Sequence, residues 1–250
     1  MEVGPSAPCC QHACDVVGVK VDINMGIVKF INSLCYAINR RVRDRRVLNM
    51  RKNLRNSDFS LITENCLGGF IYHDLNRAFL SPVINGEFST EDYLKFLWRF
   101  GHYLEFDLEQ ITDAKDSHIP EFYKQKDVPI GVLDDIYFRF THYSLSEKDK
   151  AQEDWNRRRR RVNMNNLFVV MVEKEGVTKQ QMEEFNQLPY KNKIILTHKK
   201  YSDIPNSDYI RGFEKKGYIG VISDYMSGLM GKRYYDQFDW VSWLNGQSNG

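Results

Sequence analysis

The sequence predicts an α/β fold of three layers, α/β/α, around a largely parallel or mixed sheet. Three observations carry this. Short apolar runs recur at 58–63, 130–133, 136–142, 167–172 and 194–197, and amphipathic stretches with helix-start signals separate most of them. Strands alternating with helices build βαβ units, whose crossover helices cover the sheet. A chain of 250 residues is also long enough to bury both faces of one sheet.

Residues 1–25 hold Gly, Pro, Ser and Cys without a sustained period and read as a loosely ordered tail. The cluster "CCQHAC" offers Cys9, Cys10, His12 and Cys14 as metal ligands but lacks the paired spacing with which four ligands close a tetrahedron, so metal binding there is the lesser expectation. Residues 26–56 have a helical period, with Ile27, Ile31, Leu34, Cys35, Ile38 and Val42 on one stripe. Arg40, Arg41, Arg43, Arg45, Arg46, Arg51, Lys52 and Arg55 follow, opposed only by Asp44. Such a basic amphipathic helix suits a solvated face or the surface of an anionic membrane. Residues 57–245 are expected to form a single α/β domain, and 246–250 a tail.

Within that domain, 58–63 reads as a strand, 66–76 as a short helix and 79–84 as an extended piece carrying Pro82. Ser89, with Asp92 three residues on, caps a helix over 90–104. Strands at 130–133 and 136–142 come next, then a helix opened by Ser146 and Asp149 and closed near 162 by "RRRRR", 157–161. Cations near a helix C-terminus are favoured by its dipole, and arginines such as Arg157 can also hold a pyrophosphate. A strand at 167–172, a helix at 178–186 and a strand at 194–197 follow. A short strand at 218–222 and an aromatic segment around Trp240 and Trp243 complete the reading.

The net charge of +2 gives no reason to expect a nucleic-acid partner. Five cysteines, three of them in the first fourteen residues, form no disulfide framework and point to a reducing compartment. With no signal peptide and no apolar run of membrane-spanning length, the expected location is cytoplasmic, peripheral at the inner face of the membrane if the basic helix docks there.

Ligands of open parallel sheets bind where the strands end at their carboxyl termini. The residues just past the apolar runs are Glu64, Asn65 and Cys66, then Asp134 and Asp135, His142, Glu173, and His198. A cysteine at the first turn of a helix meets unpaired backbone donors that favour thiolate, and it is the candidate nucleophile. Its alternative role is to pack the helix on the sheet. Gly68 and Gly69 would let a substrate approach the backbone, where N–H groups hold an oxyanion. His142 or His198 would move protons, with Asp134 orienting the imidazole. Asn65, His73, Glu173 and Arg157 complete the set of candidate substrate-binding residues.

The segments "NCLGGFIYHDLNRAFLSPVING", "EDYLKFL", "FTHYS", a Trp-Asn-Arg-Arg helix, "LPYKNKIILTHKKY" and "GKRYYDQFDWVSWLN" resemble the bacterial domain of unknown function 1919 family over 57–245. That family usually has an aromatic residue where this chain has Leu67. The resemblance implies work on a surface glycan, because members are often encoded in capsule and exopolysaccharide clusters. The Asn-Cys pair also looks like the start of certain polysaccharide acetyltransferase-like proteins with a cysteine nucleophile, over a few residues only.

Three functions follow as expectations. The first is a transferase of surface-polysaccharide biosynthesis that moves an acyl group, from a donor such as acetyl-coenzyme A, through Cys66 to a sugar or glycan precursor. The second is a glycosyltransferase whose Asp134 and Asp135 hold a divalent metal against a nucleotide-sugar. The third is a non-catalytic glycan-binding or assembly protein.

Overall fold

A computed structural model describes residues 25–108, 110–112, 115, 118–227 and 231–246; the Cys9 to Cys14 cluster lies outside them. The chain divides into two units, residues 1–37 and 38–250. Helix α1 (Met25–Asn53) begins in the first and ends in the second. The other elements are β1 (Ser60–Thr63), α2 (Leu67–Leu75), β2 (Gly86–Glu87), α3 (Thr90–Trp98), α4 (Phe100–Glu105), β3 (Gln110–Thr112), α5 (Glu121–Lys124), β4 (Ile130–Leu133) and β5 (Ile136–Phe140). After them come α6 (Lys148–Arg159), β6 (Leu167–Val172), α7 (Lys179–Gln187), β7 (Asn192–Thr197), β8 (Ser207–Tyr209) and α8 (Trp240–Leu244).

The strands form two sheets. One is fully parallel in the order β1-β6-β7-β8, and the other is antiparallel in the order β2-β5-β4-β3. The central strand β6 shows why the parallel sheet needs a layer on each side, since all six of its residues are buried. Leu167, Val169 and Met171 face one apolar cluster with Tyr93, Phe96, Trp155 and the antiparallel sheet's Phe138 and Phe140. Phe168, Val170 and Val172 face the other, with Leu67, Ile71, Tyr235 and Trp240. A strand buried on both faces reads as a continuous apolar run, which is how "LFVVMV" identifies itself.

The structure departs from the sequence expectations in several places. The runs at 130–133 and 136–142 pair with each other as a hairpin in their own sheet, because only Asp134 and Asp135 separate them and two residues cannot make a parallel crossover. The expected helix over 90–104 is broken at Arg99 into α3 and α4. The stretch 218–222 forms no strand; β8, at 207–209, takes the edge instead.

From Ile38 onward α1 turns a different face to the body from the apolar stripe the sequence suggests. Asn39, Arg43 and Val47 are buried, whereas Val42 is exposed. Charge sets this choice. Arg43 donates to Asp236 Oδ2 at 2.5 Å and to Tyr235 Oη at 2.5 Å, and it pairs with Asp74 of α2. Arg51 Nε donates to the Asp74 carbonyl at 2.6 Å, near the carboxyl end of α2, and the Asn39 amide oxygen accepts from Gly231 N–H at 2.8 Å. Arg43 thus ties α1 to α2 and to the chain's last segment.

Removing one member of a buried ionic group leaves the others uncompensated, which costs about 3–5 kcal/mol. Arg43→Met should therefore lose stability on that scale in urea denaturation. Arg46→Ala, at an exposed neighbour that donates to the Asp236 carbonyl at 3.0 Å and pairs with its carboxylate at 3.9 Å, should lose less, about 1 kcal/mol. Equal losses in the two variants would contradict the structural role given to Arg43.

Candidate functional site

Cys66 stands at the N-cap of α2, three residues past the end of β1. The turn before it is fixed by side chains. Thr63 Oγ1 donates to the Asn65 carbonyl at 2.7 Å and accepts from Gly68 N–H at 3.1 Å, while Asn65 Oδ1 accepts from Leu67 N–H at 3.0 Å. The N–H groups of Leu67 and Gly68, natural donors for an oxyanion, are therefore already satisfied by Thr63 and Asn65. The two glycines serve packing rather than substrate approach. A Cβ on Gly68 would lie 2.9 Å from Thr63 Oγ1, and one on Gly69 would lie 3.1 Å from Asn85 Oδ1.

The partner of Cys66 comes from the other sheet. His142 Nε2 lies 3.3 Å from Cys66 Sγ and Thr141 Oγ1 lies 3.1 Å from it, both just beyond the carboxyl end of β5. Their placement is secured on each side. Asn85, held at a positive φ of 64° in the Asn-Gly turn before β2, accepts at its carbonyl from Thr141 N–H at 2.9 Å and from Thr141 Oγ1 at 2.9 Å. Tyr143 Oη donates to Asp154 of α6 at 2.5 Å, and Asp154 also pairs with Arg157 and Arg158.

Burial, and then the positive charge of Lys126, push the His142 imidazole below its ordinary pKa. At neutral pH the ring is uncharged, and its Nε2 is able to accept a proton. Thr141 spends its own hydroxyl proton on the Asn85 carbonyl and so offers a lone pair to the sulfur. The thiol proton thus has two acceptors in reach, Thr141 Oγ1 and His142 Nε2, of which only the imidazole is basic.

Two carboxylates of the same region are matched by cations. Glu64, fully buried, accepts from Val172 N–H at 2.7 Å through Oε1 and binds Lys174 Nζ at 2.7 Å through Oε2. Its carbonyl accepts from Phe88 N–H at 3.0 Å. Glu87 of β2 pairs with Arg139 of β5 and with Lys126, each at 2.8 Å. Burial alone would raise the Glu87 carboxyl, but Lys126, Arg139 and Lys174 outweigh it and hold the group below its usual range.

The other expected residues fall into separate places. His198 follows β7 and Glu173 follows β6, so both share the carboxyl edge of the parallel sheet with Cys66. His198 stands two strand spacings from the Cys66 strand, roughly 10 Å. It belongs to its own group, with Nδ1 2.8 Å from Glu173 Oε2, its N–H donating to the same oxygen at 2.9 Å, and Tyr201 Oη on Glu173 Oε1 at 2.5 Å. Asp134 does not orient either imidazole. It occupies the β4–β5 turn at a φ of 55°, paired with Arg99 at 3.2 Å and His102 at 3.1 Å, at the opposite end of β5 from His142 and roughly 26 Å along the chain from it. Asp135 pairs with Arg99 and accepts from Tyr103 Oη at 2.6 Å. Among the described residues no group of three or more His, Cys, Asp or Glu side chains is arranged to hold a metal. Arg157 is an internal partner of Asp154, and exposed His73 packs edge-on against Phe79.

Sequence reasoning missed Thr141 and Asn85. The Asn85-Gly86 dipeptide is a turn signal that was there to be read, but nothing local says that the turn's carbonyl reaches across to Thr141.

Comparison with known proteins places the chain in a family. An uncharacterized protein of Haemophilus influenzae is 38% identical over 209 residues, covering 84% of this chain and 95% of the relative. A family described as a domain of unknown function, DUF1919, matches residues 37–245, a span that opens at the boundary between the two units and contains both sheets. The chain belongs to the DUF1919 family.

Proposed function

We propose that this protein is a transferase that carries an acyl group on Cys66, with His142 as the acid-base residue. The observation that carries the reading is the 3.3 Å approach of Cys66 Sγ to the imidazole Nε2 of His142, each delivered by a different sheet. A nucleophile within hydrogen-bond reach of a base is the arrangement thiol catalysis needs. That the acyl acceptor is a hydroxyl of a sugar or glycan precursor in surface-polysaccharide assembly rests on the family resemblance.

The steps balance with these groups alone. His142 Nε2 takes the Cys66 proton as sulfur attacks the carbonyl of a thioester donor such as acetyl-coenzyme A. The tetrahedral adduct expels the donor thiolate, which recovers that proton from His142, leaving an acyl-Cys66 thioester. An acceptor hydroxyl then gives its proton to His142 and attacks the acyl carbon; the ester forms, and Cys66 leaves as thiolate and is reprotonated. While the sulfur is negative, Thr141 can turn its hydroxyl from the Asn85 carbonyl toward it, a hydrogen bond to a charged partner being the stronger one.

The metal-dependent glycosyltransferase reading has less support, because the side chains paired with Asp134 and Asp135 are Arg99, His102 and Tyr103.

Incubation with a small thioester donor should leave one acyl group on the peptide containing Cys66, read by mass spectrometry. Cys66→Ser should show no transfer to an acceptor. His142→Gln should acylate about 100-fold or more slowly, the usual scale of general acid-base catalysis. An unmodified Cys66 in a protein that still transfers acyl groups would overturn the reading.

The pH dependence has a definite sign. His142 must be uncharged to act as a base, and its pKa is depressed, so acylation should persist below the ordinary imidazole value and fall only as pH drops through the lowered one. Lys126→Ala removes a positive neighbour, so it should move this acid limb to higher pH. A limb that moves lower, or starts well above the ordinary histidine range, would contradict the assignment of the base.

A further inference from the structure

The two arginine-rich stretches of this chain have opposite fates. In α6 and just beyond, Arg157 and Arg158 pair with Asp154, and Arg159 and Arg160 pair with Asp107, so four of the five arginines of that run have a carboxylate partner within the fold. In the Ile38–Asn53 part of α1, Arg43 and Arg46 are the cations that find carboxylates, both on the side facing the body. No ion pair among the described residues uses Arg41, Arg45 or Lys52, and all three are exposed.

These residues lie on one stripe. Positions 41, 45, 48 and 52 follow the i, i+4, i+7, i+11 spacing of a helix face, and buried positions 39, 43 and 47 define the opposite one. The fourth residue of the outer stripe is Leu48, 62% exposed among its cations, with Val42, 37% exposed, at its border. Asp44 is the only acidic residue in the whole helix, and the part before Ile38, "MGIVKFINSLCYA", has Lys29 as its only charged residue. One helix therefore joins an apolar half to a half whose outer face is basic with an apolar side chain at its centre. A single exposed leucine is ordinary on a solvated face, but one set among these cations has the two features an interfacial helix combines. A bilayer uses both, because cations settle on lipid phosphates and serines while the apolar side chain enters the acyl boundary.

We infer that the Arg41, Arg45, Leu48 and Lys52 face of α1 docks the protein on an anionic lipid bilayer. No helix among the described residues is long and apolar enough to cross a membrane, so the contact is at the interface. The inference uses none of the Cys66 chemistry and stands or falls apart from it.

Flotation of the whole chain with phosphatidylcholine vesicles, with and without phosphatidylserine, tests it. The wild-type protein should float with the phosphatidylserine vesicles at low salt and be released as salt rises. Each cation near such a surface strengthens binding about fivefold, so the triple variant Arg41→Gln, Arg45→Gln, Lys52→Gln should bind about 100-fold more weakly. Leu48→Asn should cost about tenfold, the scale of one leucine kept from an apolar environment. All four positions are exposed, and unchanged melting curves would show that the variants fold. Failure to float at low salt, flotation of the triple variant like the wild type, or capture by duplex DNA or polyglutamate in place of vesicles would overturn the inference.

Discussion

Glu64 makes three connections with one buried residue. Its carboxylate takes the last backbone donor of β6 and the ammonium of Lys174, and its carbonyl takes the Phe88 N–H just past β2. A parallel sheet and an antiparallel sheet share no ladder, so something other than strand pairing has to set their relative position. Two residues after Glu64 comes Cys66, and on the far side of the junction comes His142. The short distance between them is therefore a property of the joint between the sheets, not of either sheet alone.

The same device recurs one strand over. Glu173, just past β6, accepts from the His198 N–H just past β7, much as Glu64, just past β1, accepts from Val172 at the end of β6. Each carboxylate caps a strand end where the ladder leaves a donor unpaired, and each then has an oxygen left for a side chain, Lys174 in one case and Tyr201 in the other. Leaving such a donor unpaired costs about 1–3 kcal/mol, so these positions have a structural reason to be acidic whatever chemistry happens nearby. Around Cys66 the remaining freedom is taken up by Asn85, which fills the space left by Gly69 and fixes Thr141 through its carbonyl.

What was legible in the sequence follows from what is local. The β6 run could be read because burial on both faces makes it apolar throughout, and Cys66 because a strand end and a helix start are both written nearby. His142 was legible as a residue past a strand end, but for a reason the structure changes: its strand is antiparallel and in the second sheet, so it meets Cys66 across a joint, while His198, on the same parallel edge as Cys66, stands two strands away. Asp134 looked like another strand-end group, but a hairpin reverses direction there and carries it to the opposite end from His142. The buried face of α1 was misread because apolar periodicity assumes an apolar core opposite, whereas Asp74 and Asp236 await Arg43. Long-range ionic partners leave no periodic trace, and neither does the contact between the Asn85 turn and Thr141.

If Glu64 sets the approach of His142 to Cys66, the thiol should depend on the imidazole only while that joint is intact. The most direct measurement is the alkylation rate of the Cys66 peptide at neutral pH in four folded proteins: wild type, Glu64→Gln, His142→Asn and the double variant. The account predicts that His142→Asn slows the wild-type reaction about tenfold or more, as expected for loss of a positioned base, and slows the Glu64→Gln protein by less than about twofold, the shortfall being the coupling between the two sites. The same slowing in both backgrounds would show that Cys66 and His142 meet without Glu64, and would contradict the account.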